Sequence, residues 1–153
     1  MTKQHTVVRP IAGHELSDLL DLYTHLHPVD EPLPPPAEVQ KLWRDILANP
    51  LLHYFGVEFD GRMVSACTLC VIPNLTHGAT PFGVIENVVT HSDYRRRGFA
   101  KALLRHTLEF AWQAKCHKVV LLSGVARKEA HSLYESVGFS RHAKIGYVAT
   151  PQR

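Results

Sequence analysis

The sequence is poor in cysteine, methionine and tryptophan, and it has no long hydrophobic run. Three cysteines are a small and odd number, which argues against a disulfide framework and favours a reducing compartment. No apolar stretch approaches the length of a transmembrane helix, and residues 1–10, MTKQHTVVRP, lack the apolar core of a signal peptide. We therefore expect a cytoplasmic protein without a membrane partner.

Metal-binding patterns are missing as well, although the chain contains eleven histidines. No HExxH occurs, and Cys67 and Cys70 form the only CxxC of the sequence. Two strand residues that are three positions apart point to opposite faces, so we interpret this pair as core residues and not as ligands. We expect no metal site.

Charge is scarce: charged residues make up 20% of the chain, and the formal net charge is +3. This mild positive excess favours an anionic ligand. The run 95–97, three arginines, has a rival interpretation as a nucleic-acid patch, but three are too few and no aromatic residues are interleaved on a basic face. We therefore expect no nucleic-acid partner.

What the sequence does contain is the pattern of one α/β domain over 1–153, with enough apolar residues for a single core. Hydrophobic patterns predict strands at 6–10, 52–59, 62–72, 84–90 and 118–123, and one or two more within 139–148. Helical spacing predicts helices at 14–27, 37–48, 98–115 and 127–137. The order β-α-α-β-β-β-α-β-α-β is that of a mixed β-sheet flanked by helices.

Turn residues separate these elements. Asp60-Gly61 supplies the positive φ angles of a two-residue hairpin turn between the second and third strands. Gly138 is placed to end the last helix as a left-handed cap. Residues 27–36 contain five prolines, which exclude regular structure, and we interpret them as a shaped loop at the mouth of a site.

The stretch 83–104 is the most informative part of the chain. An apolar, β-branched strand passes through a polar turn into a helix that opens with residues 95–100, Arg-Arg-Arg-Gly-Phe-Ala. The first N–H groups of a helix lack intrahelical acceptors, and they and the helix dipole favour an anion. Neighbouring arginines add charge-assisted hydrogen bonds to phosphate. The stretch therefore predicts a pyrophosphate-binding turn.

Two motifs in this chain resemble those of the GNAT family of N-acetyltransferases. Arg95-Arg96-Arg97-Gly98-Phe99-Ala100 fits the family's acetyl-CoA signature, which is Arg or Gln, two residues, Gly, one residue, and Gly or Ala. Leu133-Tyr134-Glu135-Ser136-Val137-Gly138-Phe139 fits a second family signature, in which a helix ends in Leu-Tyr-Glu-x-x-Gly-Phe. The element order also matches, from about Val7 to Val148.

The resemblance implies a splayed sheet, in which the strands 84–90 and 118–123 part at their C-terminal ends. The pantetheine arm of acetyl-CoA, the co-substrate, would lie in that gap, and the pyrophosphate would lie on the N–H groups of 96–100. A side chain at Gly98 would hold the backbone away from the phosphates. The cofactor-binding residues that the resemblance implies are Val88, Val89, Thr90, Arg95, Arg96, Arg97, Gly98, Phe99, Ala100 and Arg127.

Arg127 departs from the family pattern. It stands where the family often has an asparagine that contacts CoA. Two interpretations remain open: Arg127 contacts the CoA phosphates instead, or it only caps its loop.

The resemblance also implies two catalytic residues. Tyr134 stands at the position of the family's general acid, which protonates the CoA sulfur; a tyrosine of the core is the alternative. Glu86 stands where several members carry a general base or a carboxylate that orders a base water. A carboxylate within an apolar strand is costly unless it is hydrogen-bonded or faces a wet cleft, so a structural glutamate is the alternative. In a regular strand Asn87 would point to the opposite face, whereas a bulge would change that.

The function that the resemblance implies is direct transfer of an acetyl group from acetyl-CoA to a primary amine of a small molecule or peptide. The alternative is a CoA-binding sensor that has lost catalysis. The acceptor would enter between 25–36, 74–82 and the tail near Tyr147, where Asp30 and Glu31 could attract a cationic amine. Family members often dimerise, so a homodimer is left open.

Overall fold

The computed structural model describes residues 5–152, which form two compact units, 5–121 and 122–152. The strands are β1 (Thr6–Pro10), β2 (Leu52–Phe59), β3 (Arg62–Ile72), β4 (Phe82–Thr90) and β5 (Val119–Val120). The helices are α1 (Leu16–Tyr23), α2 (Pro36–Ala48), α3 (Thr76–Ala79), α4 (Phe99–Gln113) and α5 (Lys128–Ser136), and 3₁₀ turns cover Gly13–Glu15 and Ser92–Tyr94. None of the helices within 5–152 is long and apolar enough to cross a membrane.

The first unit is built on one mixed sheet with the strand order β1-β2-β3-β4-β5. Strands β1 to β4 are antiparallel neighbours, and β5 is parallel to β4. Asp60 and Gly61 join β2 to β3, and both have positive φ, as the sequence predicts for this turn. The mixed α/β fold predicted from the sequence is confirmed.

Helices cover both faces of this sheet. On one face α1 and α2 pack over an apolar cluster that includes Leu19, Trp43 and Val89. On the other face α4 buries Leu103, Leu104, Thr107 and Ala111 completely. Successive side chains of β3 point to opposite faces of the sheet. Ala66 belongs to the cluster under α1, and Cys67 points to α4, with its Sγ 3.3 Å from Thr107 Oγ1.

The cysteine pair behaves as core residues. Cys67 is buried, Cys70 is half-buried, and both are free thiols. Burial raises the pKa of the Cys67 thiol to about 12, so it stays protonated at neutral pH. Among residues 5–152 no group of three or more His, Cys, Asp and Glu side chains is arranged to hold a metal ion.

Two strand predictions need correction. The strand predicted at 118–123 is reduced to Val119–Val120, because β4 pairs with it only at Gly83 and Val84. The one or two strands predicted within 139–148 are absent from the described tail, where Ile145, Tyr147 and Val148 are about four-fifths exposed, at 80%, 88% and 77%. Those residues have strand propensity, but a strand also needs a paired neighbour and a covered face.

The second unit contains α5 and the tail. The Gly138 N–H donates to Glu135 O at 3.1 Å, and the Phe139 N–H donates to Tyr134 O at 3.1 Å. With a φ of +105° at Gly138, these bonds form the left-handed helix end that the sequence predicts. Arg141 adds two bonds to the Glu135 carboxylate, at 2.6 and 2.9 Å.

Candidate functional site

The sheet of the first unit is splayed between β4 and β5, as the family resemblance implies. Strand β4 is nine residues long, but only Gly83 and Val84 pair with β5. From residue 85 to residue 90, no strand in the described part of the chain pairs with this edge of β4. The backbone of Val88, Val89 and Thr90 lies along that unpaired edge, so it can bind an extended ligand that has its own amide groups.

A β-bulge interrupts β4 in the same region. Ala66 is paired with Val89 and Thr68 with Glu86, so two residues of β4 lie opposite Cys67 alone. Asn87 takes the extra position with a φ of +53°. The bulge breaks the alternation of faces, and Glu86 and Asn87 are both exposed.

The bulge places Asn87 on the α1 side of the sheet. Its side chain lies beside the Tyr23 hydroxyl of α1, and Thr68, the partner of Glu86, is a second polar neighbour of that hydroxyl. Burial raises the pKa of Tyr23 to about 12, so the phenol stays protonated and keeps its O–H donor. Of the two alternatives for this strand, the bulge is the one observed, so the opposite orientation of Asn87 that a regular strand would give does not apply.

The turn between β4 and α4 has the backbone of an anion site. Arg96 and Gly98 both have positive φ, of 60° and 83°, and left-handed residues in such a turn make a concave arrangement of N–H groups. The first helical bond of α4 runs from the Ala102 N–H to Gly98 O. The N–H groups of 98–101 have no acceptor within residues 5–152.

Gly98 is needed here for its backbone angle. As the residue that caps α4, it has φ of 83° and ψ of 2°, which L side chains adopt only with strain. A Cβ at this position would have no protein atom within 4 Å. The space in front of the turn is therefore open, and a ligand can reach the backbone.

Arg95 and Arg97 of this turn both contact protein groups through their side chains. Arg95 Nε donates to Thr90 O at 3.1 Å, and its Nη2 donates to His25 O at 2.9 Å. The Arg97 guanidinium lies over three aromatic rings, 4.7 Å from the centroid of Phe59 and 5.2 and 5.3 Å from those of Tyr94 and Phe99. Their positive charges remain beside the N–H groups of the turn, although their side chains also shape it.

The other predicted site residues lie in the second unit. Tyr134 is on α5 and is buried at 7% exposure, with its ring 6.1 Å from that of Phe139 in an edge-to-face contact. Arg127 is the residue before α5 and is exposed, and its side chain makes no hydrogen bond that caps the helix. Its backbone N–H donates to Gly124 O at 3.0 Å within the preceding loop, and both interpretations of Arg127 stay predictions.

The loop predicted to contact the acceptor contains a strained turn. His77, Gly78 and Ala79 have φ angles of 55°, 69° and 58°, and two of them are not glycine. The Thr80 hydroxyl donates to His77 O at 2.8 Å, and the His77 ring stacks on that of His117 with centroids 4.1 Å apart. The sequence does not predict this conformation, because residues 77–79 contain neither a glycine-rich nor an Asn-Gly pattern, which would indicate left-handed residues.

Comparisons with known proteins identify the family of this chain. The model of the Acetyltransferase (GNAT) family matches residues 16–139, which include both sequence motifs. Glucosamine 6-phosphate N-acetyltransferase of Trypanosoma brucei brucei is 34% identical over 84 residues, which are 55% of this chain and 55% of that protein, so the match spans about half of the relative's length.

Solved structures agree as well. A putative acetyltransferase from Agrobacterium tumefaciens str. C58 superimposes with a TM-score of 0.88 at 37% identity, over 95% of this chain and 99% of the other. Glucosamine-6-phosphate N-acetyltransferase from Arabidopsis thaliana shares the fold, with a TM-score of 0.80 at 17% identity over 97% and 98% of the two chains. The family match covers most of the chain and contains both motifs, and on that basis this chain belongs to the acetyltransferase (GNAT) family.

Proposed function

We propose that this protein is an acetyl-CoA-dependent N-acetyltransferase that transfers the acetyl group directly to a primary amine. One observation carries the proposal: the unpaired edge of β4 is followed, after the 3₁₀ turn Ser92–Tyr94, by the left-handed turn and the N–H groups without acceptors that begin α4. One continuous backbone thus offers amide partners first and an anion site second. Acetyl-CoA has the same order of groups, with an amide-containing pantetheine arm followed by a diphosphate.

The pantetheine arm would pair with the backbone of Val88, Val89 and Thr90. Backbone groups on an open sheet edge bind an extended ligand as an added strand, which needs no particular side chains. The diphosphate would bind the N–H groups of 96–100, with help from the helix dipole and the arginine charges. Arg127 is proposed to contact the CoA phosphates, at the position where the family often has an asparagine.

The reaction requires four proton and bond changes. The acceptor ammonium must lose a proton, and its nitrogen must then attack the thioester carbonyl. The nitrogen of the tetrahedral adduct must release a second proton, and the C–S bond must break as the CoA thiolate takes up a proton. Glu86 is proposed to accept the first proton, directly or through water. Its exposure on the side of the sheet that faces α1 supports this role, because a water can reach it.

Tyr134 is proposed to protonate the leaving thiolate. This assignment rests on its motif, since the same Leu-Tyr-Glu-x-x-Gly-Phe sequence carries the acid in the family. A tyrosine hydroxyl suits the task, because its ordinary pKa of about 10 keeps the proton available at neutral pH. Substitution to phenylalanine separates this role from packing, since it removes the hydroxyl and keeps the ring.

The acceptor is proposed to be a small molecule in the first instance. The relative from Trypanosoma brucei brucei is named for an amino-sugar phosphate, and that name supports an amine carried by a small polar molecule. Peptide amines remain the second class of acceptor. The exposed Asp30 and Glu31 of the proline-rich loop would attract either class of cation.

Two measurements test the proposal. Isothermal titration calorimetry should show binding of acetyl-CoA to the purified chain, and release of free CoA thiol should follow addition of an amine from a panel of amino sugars, polyamines, amino acids and peptides. Absence of acetyl-CoA binding would refute the site. Tight binding without turnover on any amine would instead support the alternative function, a CoA-binding sensor.

A further inference from the structure

Two histidines join the end of α1 to the turn that follows β4. The rings of His25 and His91 stack with centroids 4.0 Å apart. The Ser92 N–H donates to His25 Nδ1 at 3.2 Å, and the Asp93 N–H donates to His91 Nδ1 at 3.2 Å. We call His25 and His91 together the histidine pair.

Arginines flank this pair on two sides. Arg95 Nη2 donates to the backbone O of His25 at 2.9 Å, and the same guanidinium binds Thr90 O. Arg62 Nη2 lies 3.0 Å from His91 Nε2. The end of α1, the end of β4 and the start of the phosphate-binding turn are therefore tied together at one point.

These bonds depend on the protonation state of the rings. A neutral imidazole has one accepting nitrogen, and a protonated imidazole has none. His25 Nδ1 accepts a hydrogen bond from the Ser92 N–H. Protonation of Nδ1 would break this bond, because two N–H donors would then face each other. His91 faces a donor at each ring nitrogen, the Asp93 N–H at Nδ1 and Arg62 at Nε2. A neutral His91 ring can accept only one of these two hydrogen bonds, and a protonated ring can accept neither.

The surroundings of His91 shift its pKa in both directions. Burial, followed by the neighbouring charges of His25 and Arg62, holds the pKa of His91 below its usual value, with a smaller contribution in the same direction from Arg95. Asp93 acts in the opposite direction. Asp18 and Asp21 of α1 line the same cleft as His25, Arg62 and His91.

We propose that His25 and His91 are positioning residues for the cofactor: in their neutral state they fasten the phosphate-binding turn to α1, and acidification opens this link and weakens acetyl-CoA binding. The inference rests on the proposed function, since it assumes that the turn after β4 binds the diphosphate. The turn needs such support, because Arg96 is held there at a φ of 60° that a non-glycine residue rarely adopts.

The direction of the pH effect follows from the lowered pKa of His91. The neutral ring is favoured in the folded protein, so the link is complete above the ordinary histidine value of 6.5. It is lost as the pH falls below that value and through the folded pKa. Acetyl-CoA binding should therefore be strongest at pH 8 and should weaken toward pH 5.

Calorimetric titration of acetyl-CoA at pH 8 and pH 5 tests the inference in three proteins. The first is the wild type, and the second is the double variant His25→Asn/His91→Asn, in which an amide oxygen replaces each accepting Nδ1 but does not titrate. The third is His14→Asn, a control at an exposed histidine of the first 3₁₀ turn. Titration of the CoA phosphates affects all three proteins equally, so the differences between proteins report on the histidine pair.

The wild type and His14→Asn should lose about fivefold more affinity between the two pH values than the double variant, which is the effect of one lost hydrogen bond of ordinary net strength. Equal losses in the wild type and the double variant would overturn the inference and leave the proposed function intact. No binding to the wild type at pH 8 would refute the proposed function, and the inference with it.

A second measurement needs neither ligand nor variant. The ¹⁵N shifts of the imidazole nitrogens should show an unprotonated Nδ1 on His25 at pH 8, because the Ser92 N–H donates to it. Protonation of this Nδ1 at pH 8 would refute the link even if the double variant fails to fold.

Discussion

Two substitutions of Gly98 test the proposed phosphate-binding turn. One tests its need for a positive φ angle, and the other tests the effect of a negative charge at the diphosphate site. Gly98 precedes α4 with a φ of 83°, and a Cβ added there meets no protein atom within 4 Å. Gly98→Ala therefore introduces strain without a clash, and we expect it to lower the free energy of unfolding by about 1 kcal/mol. In a chain of this length that corresponds to a fall in Tm of about 3 °C.

Gly98→Asp carries the same strain and adds a carboxylate at the proposed diphosphate site. Two like charges about 5 Å apart repel by about 3 kcal/mol at an effective dielectric constant of about 20, which corresponds to a loss of affinity of about a hundredfold. The carboxylate also lies beside the N–H groups that begin α4, so it competes with the ligand for the positive end of the helix, and its backbone strain is the same as in the alanine variant.

The two variants are compared in the same assays. Urea unfolding should place Gly98→Ala and Gly98→Asp within a few tenths of a kcal/mol of each other, and calorimetry should show that only the aspartate variant loses acetyl-CoA binding by about two orders of magnitude. Equal affinities of the two variants would mean that the diphosphate does not lie on this turn. An alanine variant as stable as the wild type would mean that the positive φ is not kept.

Three further substitutions test other parts of the molecule. Tyr134→Phe should lower kcat and leave the Kd for acetyl-CoA nearly unchanged; full activity would assign the proton donor elsewhere. Glu86→Gln should lower kcat/KM most at neutral pH, and an unchanged pH profile would exclude Glu86 as the base. Arg9→Met should destabilise the fold by about 2 kcal/mol in urea unfolding at pH 7, because it leaves the buried Glu15 without its two bonds from Arg9. Arg9 holds the pKa of Glu15 below 4.5, so this difference should vanish as the pH falls below that value; a difference that persists there would refute the pairing.

The candidate site was only partly predictable from the sequence. The strand, turn and helix from β4 to α4 could be predicted because a β-branched run, a polar turn and Gly98 follow one another within a few residues, and each has a local physical meaning. The roles of the arginines could not be placed in the same way. The sequence predicts Arg95 and Arg97 as phosphate ligands, and it does not show that Arg95 also binds the carbonyl of His25 and that Arg97 lies over the ring of Phe59, two residues far away in the chain.

Local signals also failed at the tail. Ile145, Tyr147 and Val148 have the composition of a strand, but they are exposed and no strand forms in the described residues after 138. Strand propensity expresses how well a residue fits a pleated surface that already exists, so it does not create the neighbour that the strand needs.

The sequence by itself determined the order of the elements, the Asp60-Gly61 turn, the Gly138 helix end and the passage from β4 to α4. Each of these depends on backbone preferences and periodicities within a few residues. Only the tertiary structure decided the bulge at Asn87, the faces that Glu86 and Asn87 share, and the contact of His25 with Ser92, which are 67 positions apart in the chain. Such features depend on which strand or helix lies alongside, and that is settled by the packing of the whole sheet and not by any one segment.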